Sequence, residues 1–240
     1  MQKLVELAKK RFAENQNYQM DYLADTEISA FVNDLKQRPH SFVLACLMTP
    51  QIIAERAWRI PYEVCKKFGS GMTDLVEVPE DEYLKFFNEK GLHRNGTKMA
   101  GVFHKALLRI RDVYNNDASK IWSGNPSSST VVYRFLQFYG CGIKISTMAT
   151  NILARDFKVP FSDHYSIDIS PDRHVKRVMK RIGYVDEKAT PEMIIYKARE
   201  LNPEYPGIID ISCFEIGRDF CKPTNPNCKE CIVRDECKSA

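Results

Sequence analysis

The sequence has no apolar run long enough to cross a membrane. A membrane-spanning helix needs about 18 consecutive, predominantly apolar residues, and no stretch of these 240 residues approaches that length. The first six residues, MQKLVE, also lack the apolar centre of a secretory signal peptide. These absences predict a protein that does not enter a membrane and stays inside the cell, in the cytoplasm or at the nucleoid, or in the nucleus of a eukaryote.

Charge of one sign is in small excess. The 35 basic residues outnumber the 31 acidic ones by four, which gives a formal net charge of +4. Such a balance permits a nucleic-acid partner but does not require one. The sequence also lacks internal repeats and low-complexity tracts, which excludes the common solenoid architectures and a long disordered linker.

Strand-like alternation is scarce, whereas helical periodicity is frequent. Residues 161–169 form the one short stretch that could be a strand. Apolar residues recur at helical spacing in residues 42–57, 99–113 and 131–138. Thr190 followed by Pro191 is typical of a helix start, with threonine as the cap. The pattern predicts an all-α fold.

Four of the eight cysteines lie together near the end of the chain. The stretch CKPTNPNCKECIVRDEC, residues 221–237, has spacers of six, two and five residues between them. In a reducing compartment such spacing favours metal ligation over disulfides. Four thiolates suit either structural zinc or an iron–sulfur cluster, and ligand type alone cannot separate the two. Zinc ribbons usually pair two Cys-x-x-Cys motifs, so the uneven spacing favours a cluster. We expect Cys46 and Cys213, by contrast, to be small buried apolar residues.

A glycine-rich turn joins two apolar helical segments in residues 135–157, FLQFYGCGIKISTMATNILARDF. Gly140 and Gly142 allow a tight turn and leave the first amides of the next helix accessible to a phosphate. This arrangement resembles a helix-hairpin-helix, a motif that binds the DNA backbone without reading its sequence. Taken alone, however, the pattern is weak evidence, and an ordinary structural turn is the favoured interpretation.

A basic helix is predicted in residues 170–183, SPDRHVKRVMKRIG. Asp172 is placed to cap it, and apolar residues recur along one face. Five of the nine residues from 173 to 181 are basic, which favours contact with a DNA backbone. On this segment alone the simpler interpretations are favoured: Asp172 is a helix cap only, and the cations form a solvated face.

Together, the order of these three elements resembles the endonuclease III family of DNA glycosylases, over roughly residues 38–237. The resemblance places Lys144 at the Schiff-base lysine and Asp172 at the essential aspartate of that family. It implies a 4Fe–4S cluster, with zinc as the alternative, on Cys221, Cys228, Cys231 and Cys237. It also implies a set of residues that contact DNA: Gln51, Leu92, His93, Arg94, Gly140, Gly142, Arg173, His174, Lys176 and Arg177.

The same resemblance implies an architecture and an activity. The expected fold is a two-domain helix-hairpin-helix glycosylase fold, with a six-helix barrel over residues 36–156 and a cluster domain formed by residues 1–35 and 157–240. The expected protein is a monomer that acts on double-stranded DNA carrying a damaged base or an abasic site. It would flip the base out, remove it and cut the strand by β-elimination, as a DNA glycosylase with lyase activity.

Two alternatives from other functional classes stay open at this point. A non-catalytic DNA-binding module would keep the hairpin and the basic helix and could hold zinc or an iron–sulfur cluster. An electron-transfer protein would keep the cluster but would need neither of those elements. One further feature concerns the segment between Lys144 and Asp172, which is longer than in most members of the family. It carries Asp163, His164 and Asp168, and we expect it to form a short additional lobe.

Overall fold

The structure, a computed structural model, describes residues 3–15, 20 and 25–240. The predicted all-α fold is confirmed, since these residues contain helices and turns but no strand. The α-helices of the described ranges are α1 (Lys3–Glu14), α2 (Thr26–Asn33), α3 (Pro39–Leu47), α4 (Ala54–Phe68), α5 (Met72–Glu77), α6 (Glu80–Glu89), α7 (Gly96–Tyr114), α8 (Ser128–Leu136), α9 (Ile143–Arg155), α10 (Arg173–Ile182), α11 (Pro191–Leu201) and α12 (Asp210–Glu215).

Capping side chains set the start of the helices that matter most for the site. The Asp172 side chain accepts hydrogen bonds from the first amides of α10, and Gly183 ends that helix in the left-handed conformation. Thr190 caps α11 and accepts from the amide of Met193, with Pro191 in the first turn. Both predicted helix starts are therefore confirmed.

The helical pattern of residues 42–57 belongs to two helices rather than one. α3 ends at Leu47 and α4 begins at Ala54. Pro50 lies between them and cannot donate a backbone hydrogen bond to a continuous helix, and Gln51 has a positive φ of 62°. The prediction of an uninterrupted helix is wrong here because a turn is inserted without breaking the apolar spacing.

The short stretch of residues 161–169 that could be a strand does not form one. The segment is irregular and partly buried, with a turn at residues 165–166, and the described residues contain no strand for it to pair with. Its backbone is used in other ways: the carbonyl of Ile167 accepts from the amide of Gly207 at 2.7 Å, and the Ile167 amide donates to His164. Its apolar pattern therefore reflects the burial of Phe161, Ile167 and Ile169 in an irregular connection.

The chain divides into two compact units. The central unit comprises Gln19–Pro126 and Tyr133–Ala149, and the terminal unit comprises Met1–Tyr18, Ser127–Val132 and Thr150–Ala240. In the expected division, residues 25–35 fall in the cluster domain, whereas here they belong to the central unit. The assignment of a barrel to residues 36–156 and of a cluster domain to the rest stays a prediction.

The central unit is built around aromatic side chains of α3, α4, α6 and α7. Trp58, Tyr83, Phe87 and Phe103 are buried, and the rings of Phe87 and Phe103 meet edge to face at 5.7 Å. Burial of such rings removes large apolar areas from water and dominates the stability of a helical core. α7 is the longest helix and carries the surface against which the hairpin turn packs.

The terminal unit joins both ends of the chain. α1 buries Leu4, Val5 and Ala8 and packs against α12 and the 3₁₀ turn Pro206–Ile209. The backbone amide of Lys3 donates to the carboxylate of Glu236 at 3.2 Å. Closure of the unit therefore depends on contacts over more than two hundred residues of sequence. No described helix is both long enough and apolar enough to span a bilayer.

Candidate functional site

The four clustered cysteines lie on a loop folded by short turns. Cys221 ends the π-helical turn Ile216–Phe220, and its amide donates to the carbonyl of Ile216 at 2.6 Å. Cys228 opens one 3₁₀ turn, and Cys237 follows another, Arg234–Glu236. All four thiols are partly buried rather than exposed.

All four cysteines border one cavity of about 240 Å³. Apolar side chains of α10 and of the loop complete its lining, among them Val178, Ile182, Ile216 and Val233. Burial is the main cause that raises the pKa of the Cys231 thiol, and the proximity of the other three cysteines raises it further. The thiols are therefore close enough to influence one another electrostatically.

This donor set fits an iron–sulfur cluster. No three Cys, His, Asp or Glu side chains in the described ranges already surround a single point as ligands of one ion would. The four cysteines instead border one cavity, and soft thiolates are the ligands that iron–sulfur clusters use. The residues that would hold such a group are Cys221, Cys228, Cys231 and Cys237.

Two arginines of the basic helix bind the cysteine loop. Arg177 donates to the carbonyls of Gly217 at 2.7 Å and Cys221 at 2.5 Å. Arg181 donates to the carbonyls of Lys222 at 2.7 Å and Pro223 at 3.0 Å, and it approaches the Cys221 sulfur at 3.5 Å. The structure thus gives Arg177 a role in holding the loop, and its predicted contact with DNA stays a prediction.

The other predicted DNA contacts of α10 lie at its start. Arg173 is exposed, whereas His174 and Lys176 are partly buried. The His174 ring packs edge to face against Phe214 at 5.3 Å. A Cβ on Gly217 would lie 2.7 Å from the Cβ of His174, so this close approach requires glycine.

The glycine turn of the central unit has the expected shape. Gly140 has φ +81°, and a Cβ there would lie 3.0 Å from a methyl group of Val102, so a larger residue is disfavoured twice. Gly142 is exposed, and a Cβ at this position would meet nothing within 4 Å. The open space at Gly142 lies directly before α9, where free amides and the helix dipole favour an anion.

Lys144 lies in the first turn of α9 and is exposed. It belongs to the central unit, whereas Asp172 belongs to the terminal unit. Beside it, Tyr139 and Ile143 are 55% and 54% exposed, which is unusual for large apolar residues and marks the hairpin as a surface available for contact. Lys105 of α7 lies 4.1 Å from the centre of the Tyr139 ring, which adds a cation to this surface.

Asp172 caps α10 with one carboxylate oxygen. Its Oδ1 accepts from the amides of His174 and Val175, both at 2.8 Å. Among the described residues the other oxygen, Oδ2, accepts no hydrogen bond. The carboxylate is therefore fixed in orientation while one oxygen is left for a ligand.

Asp168, the other carboxylate close to this segment, is used differently. It is 8% exposed, and its two oxygens accept from Nε and Nη2 of Arg199 at 2.7 and 2.8 Å. This bidentate ion pair ties the long connection to α11. Asp163 likewise accepts from the Ser128 hydroxyl at 2.5 Å, and His164 stacks on Tyr205 at 4.7 Å. The connection is a packed part of the terminal unit.

Gln51 and the loop of residues 91–95 come together in the central unit, although forty residues separate them. The amide nitrogen of the Asn95 side chain donates to Gln51 Oε1 at 3.0 Å. Gln51 and Arg94 are exposed, and Leu92 is partly exposed. Arg56 donates to the carbonyl of Leu92 at 3.1 Å and thereby connects this loop to α4. Gln51 is therefore held against the loop that carries Leu92 and Arg94.

His93 has a structural role in the same loop. It is 4% exposed, and its Nδ1 accepts from the amide of Asn95 at 3.0 Å. Its Nε2 lies 3.0 Å from the carbonyl of Pro50, and burial lowers its pKa. A neutral ring therefore links the loop to the turn that carries Gln51. The predicted DNA contact of His93 stays a prediction.

Two residues of these surfaces have no signal in sequence patterns. Arg56 and Lys105 are ordinary helix-surface cations until the fold shows what they contact. Asp210 is different, because it interrupts the apolar run of residues 208–211, and a carboxylate in such a run indicates a buried polar group.

Comparison with known proteins identifies one curated relative with a significant match. No protein-family model matches the chain. Endonuclease III of Thermotoga maritima (strain ATCC 43589 / DSM 3109 / JCM 10099 / NBRC 100826 / MSB8) is 30% identical over 142 residues, which are 59% of this chain and 60% of that protein. The match thus spans about three-fifths of the relative's length.

Solved structures match nearly the whole chain. A trapped endonuclease III–DNA covalent intermediate has a TM-score of 0.63 at 19% identity, covering 98% of this chain and 92% of its own. A thermostable thymine-DNA glycosylase has a TM-score of 0.64 at 13% identity, with coverages of 99% and 96%. An 8-oxoguanine glycosylase/lyase of Clostridium acetobutylicum, in complex with double-stranded DNA, has a TM-score of 0.59 at 16% identity, with coverages of 90% and 69%. The resemblance to the endonuclease III family is thus confirmed, and the chain is a sequence relative of endonuclease III with the fold of these DNA glycosylases.

Proposed function

We propose that the protein is a DNA glycosylase with lyase activity, which removes a damaged base from double-stranded DNA and then cuts the strand. The observation that carries the proposal is the exposed Lys144 on the first turn of α9, directly behind a glycine hairpin with open space at Gly142. The names of the sequence relative and of the structural neighbours support the same activity.

The hairpin binds the DNA backbone in this proposal. A phosphate approaching Gly142 meets no side chain there and can accept hydrogen bonds from the first amides of α9. Lys105 and the exposed cation Arg173 add positive charge, each within its own unit. Contacts of this kind hold DNA without selecting its sequence, so the damaged base must be recognised by another mechanism.

We propose base flipping as that mechanism. The glycosidic bond of a stacked base is inaccessible, so the base must leave the duplex before it reacts. Gln51 and Arg94 are exposed, Leu92 is partly exposed, and Gln51 is hydrogen-bonded to the loop of residues 91–95 that carries the other two. We assign Gln51 to the space that the flipped base vacates, and Leu92 and Arg94 to the opposite strand.

Asp172 and Lys144 carry the chemistry in this proposal. Cleavage of the glycosidic bond leaves positive charge on the sugar, which the free oxygen of Asp172 stabilises. The unprotonated amine of Lys144 forms a bond to C1′ as the base leaves with the electron pair of the broken bond and is protonated. The attached nitrogen then loses a proton, the C1′–O4′ bond of the sugar ring opens and O4′ takes up a proton, which leaves a protonated imine. The imine makes the proton on C2′ acidic, and removal of that proton expels the 3′ phosphate by β-elimination.

The cysteine loop has a structural part in the proposal. We assign a 4Fe–4S cluster to Cys221, Cys228, Cys231 and Cys237, with zinc as the alternative. A cluster bound there supplies cross-links between segments of a loop that is otherwise held by short turns and by two arginines. It would act as a fold-stabilising group, and no chemical step is assigned to it.

The partner in this proposal is double-stranded DNA with a damaged base or an abasic site. The expectations of a monomer and of a location inside the cell, together with the DNA, belong to the same proposal. Oxidised pyrimidines, oxidised guanine, mismatched thymine and bulky adducts are the candidate lesions.

One incision panel tests the activity. Duplexes with a single thymine glycol, 8-oxoguanine, G·T mismatch or abasic site would be incubated with excess protein, and strand cleavage would be measured before and after alkali. We expect at least one lesion to be excised faster than the undamaged control. Binding without excision of any lesion would instead support a non-catalytic DNA-binding module.

A further inference from the structure

The terminal unit contains a second carboxylate, that of Asp210, whose charge interacts with the charge of Asp172. Asp210 is the first residue of α12 and is partly buried, and its neighbours Ile208, Ile209 and Ile211 are 4%, 1% and 8% exposed. Its carboxylate accepts hydrogen bonds from both the backbone N–H and the hydroxyl of Ser170. A carboxylate in such an apolar setting is costly unless it is hydrogen-bonded or protonated.

Ser170 connects Asp210 to Asp172. Ser170 is 5% exposed, and its carbonyl accepts from the amide of Asp172 at 2.6 Å. The same serine therefore donates to Asp210 and accepts from Asp172, which fixes the short segment that leads into α10. Asp172 in turn caps that helix through Oδ1 alone.

The charged groups that act on Asp210 are few. Burial is the largest cause that raises its pKa, to about 7, and the nearby charge of Asp172 raises it further. Arg155 acts in the opposite direction, but its guanidinium is also bound by both oxygens of Asp156, at 2.8 and 2.6 Å. Tyr205 and Cys213 face the same group, and burial raises the pKa of each, so both are neutral.

We propose that Asp210 is a positioning residue for Asp172, which holds the Ser170–Asp172 segment in place and, when ionised, adds a second negative charge next to the sugar-facing carboxylate. This inference rests on the proposed glycosylase function, in which Asp172 stabilises positive charge on the sugar. A second negative charge in that field favours the same transition state. Protonation of Asp210 removes this contribution without breaking the helix cap.

The consequence is a pH dependence near neutrality. As pH rises through about 7, Asp210 loses its proton and the rate of base removal increases. We expect a rise of about tenfold, the effect of one additional charge acting across several ångströms of partly hydrated protein.

Two variants and one control test the inference. Asp210→Asn keeps the shape and an acceptor oxygen for Ser170 but cannot ionise. Ser170→Ala removes one donor that favours the ionised form, so it should move the rise in rate to higher pH. Asp168→Asn is the matched control, since it neutralises a buried carboxylate of the same connection that is paired with Arg199 instead.

The measurement is the single-turnover excision rate from about pH 5.5 to about pH 8.5, a range that brackets the proposed titration. The substrate is whichever duplex of thymine glycol, 8-oxoguanine or the G·T mismatch the wild-type protein excises fastest. The wild type and Asp168→Asn should show the rise near pH 7, Asp210→Asn should stay at the low-pH rate throughout, and Ser170→Ala should show a displaced rise.

The outcomes separate this inference from the function on which it rests. A wild-type protein that excises none of the lesions overturns the proposed function, and the inference with it. A wild type that excises a lesion with the same pH profile as Asp210→Asn overturns the inference alone. A rise that Ser170→Ala leaves at its wild-type pH would equally show that Asp210 is not the titrating group.

Discussion

At the scale of single residues, the fold treats neighbouring carboxylates in different ways. Asp172 uses one oxygen to cap α10 and keeps the other available, whereas both oxygens of Asp168 bind Arg199. Sequence position alone cannot distinguish them, since both belong to the connection that follows α9. The pairing of Asp168 with a guanidinium is what assigns it to the scaffold.

Substitution separates these two roles. Asp172→Asn keeps an oxygen that can cap α10, so the free energy of unfolding should change by less than about 1 kcal/mol. The rate of base removal should nevertheless fall by two or more orders of magnitude, on the order of 3 kcal/mol or more in transition-state stabilisation, because the negative charge is lost. Urea denaturation and single-turnover excision measure the two quantities.

Asp168→Asn should show the reverse pattern. Loss of the bidentate pair with Arg199 should destabilise the protein by about 1–2 kcal/mol, while the excision rate stays within about twofold of wild type. An inactive Asp168→Asn protein together with an active Asp172→Asn protein would show that the catalytic carboxylate has been assigned to the wrong residue.

The raised pKa of Asp210 predicts how the free energy of unfolding changes with pH, and this prediction does not depend on activity. Its pKa is raised from 3.8 to about 7 in the folded protein, so the folded state holds the proton more tightly than the unfolded state. The contribution of this protonated group to stability is complete below about pH 4 and is lost as pH rises through about 7. The wild type should therefore lose stability relative to Asp210→Asn across this window, by on the order of a few kcal/mol. If the difference in free energy of unfolding between the wild type and Asp210→Asn stays constant from about pH 4 to about pH 7, the raised pKa of this carboxylate is contradicted.

At the scale of elements, the hairpin turn and α9 form the part of the central unit that is best suited to bind a phosphate. The two glycines have different reasons to be glycine. Gly140 adopts a positive φ and lies against Val102, so it is needed by the fold. Gly142 has open space around it and is the position where a side chain can interfere with a ligand without disturbing the protein.

Gly142→Asp therefore tests the hairpin directly. The variant should fold normally, yet its affinity for undamaged and abasic duplexes should fall by about tenfold or more, because a carboxylate then lies where a phosphate would bind. Gly142→Ala is the matched control and should lose much less affinity, since it adds a small neutral group. Fluorescence anisotropy over a salt series measures both, and equal affinity of Gly142→Asp and wild type at every salt concentration would remove the hairpin from the DNA interface.

Much of this element structure follows from local sequence. The caps Asp172 and Thr190 are predicted because a helix start has local chemical requirements that a few residues satisfy. The turn at Pro50 and Gln51 is missed because the apolar spacing continues across it. The irregular stretch at residues 161–169 resembles a strand because its apolar residues at 165, 167 and 169 alternate with polar ones, as they would in a half-buried strand.

The side-chain contacts of the site depend on tertiary structure and escape the sequence. The five cations of residues 173–181 look equivalent in the sequence, but Arg177 and Arg181 bind carbonyls of the cysteine loop. The contact between Gln51 and Asn95 joins two turns of the central unit that no periodicity links. Local patterns therefore indicate which residues are candidates, whereas long-range packing decides what each one contacts.

At the scale of the whole molecule, both termini and the cysteine loop depend on one another within the terminal unit. Lys3 contacts Asp235 and Glu236, which stand just before the last clustered cysteine. A group that cross-links the four thiols would therefore fix the position of α1 as well. Loss of that group should affect the folding of the unit rather than a single loop.

The metal content tests this view. Protein purified without oxygen should contain about four iron and four sulfide per chain and should be brown, with broad absorption near 400 nm. Alanine at any one of Cys221, Cys228, Cys231 and Cys237 should give colourless or insoluble protein, whereas Cys141→Ala, a partly buried cysteine outside the loop, should keep its iron. A content of one zinc and no iron per chain would contradict the iron–sulfur cluster and would indicate a single zinc ion bound by the four cysteines.

The central claim is that Lys144 attacks the sugar, and borohydride trapping tests it most directly. Reduction of the imine during turnover should yield a covalent protein–DNA adduct on an abasic or damaged duplex, and peptide mapping should place the cross-link at Lys144. Lys144→Gln should still bind the abasic duplex with wild-type affinity while giving neither adduct nor strand cleavage. The absence of an adduct with the wild type, or an undiminished adduct with Lys144→Gln, would contradict the account.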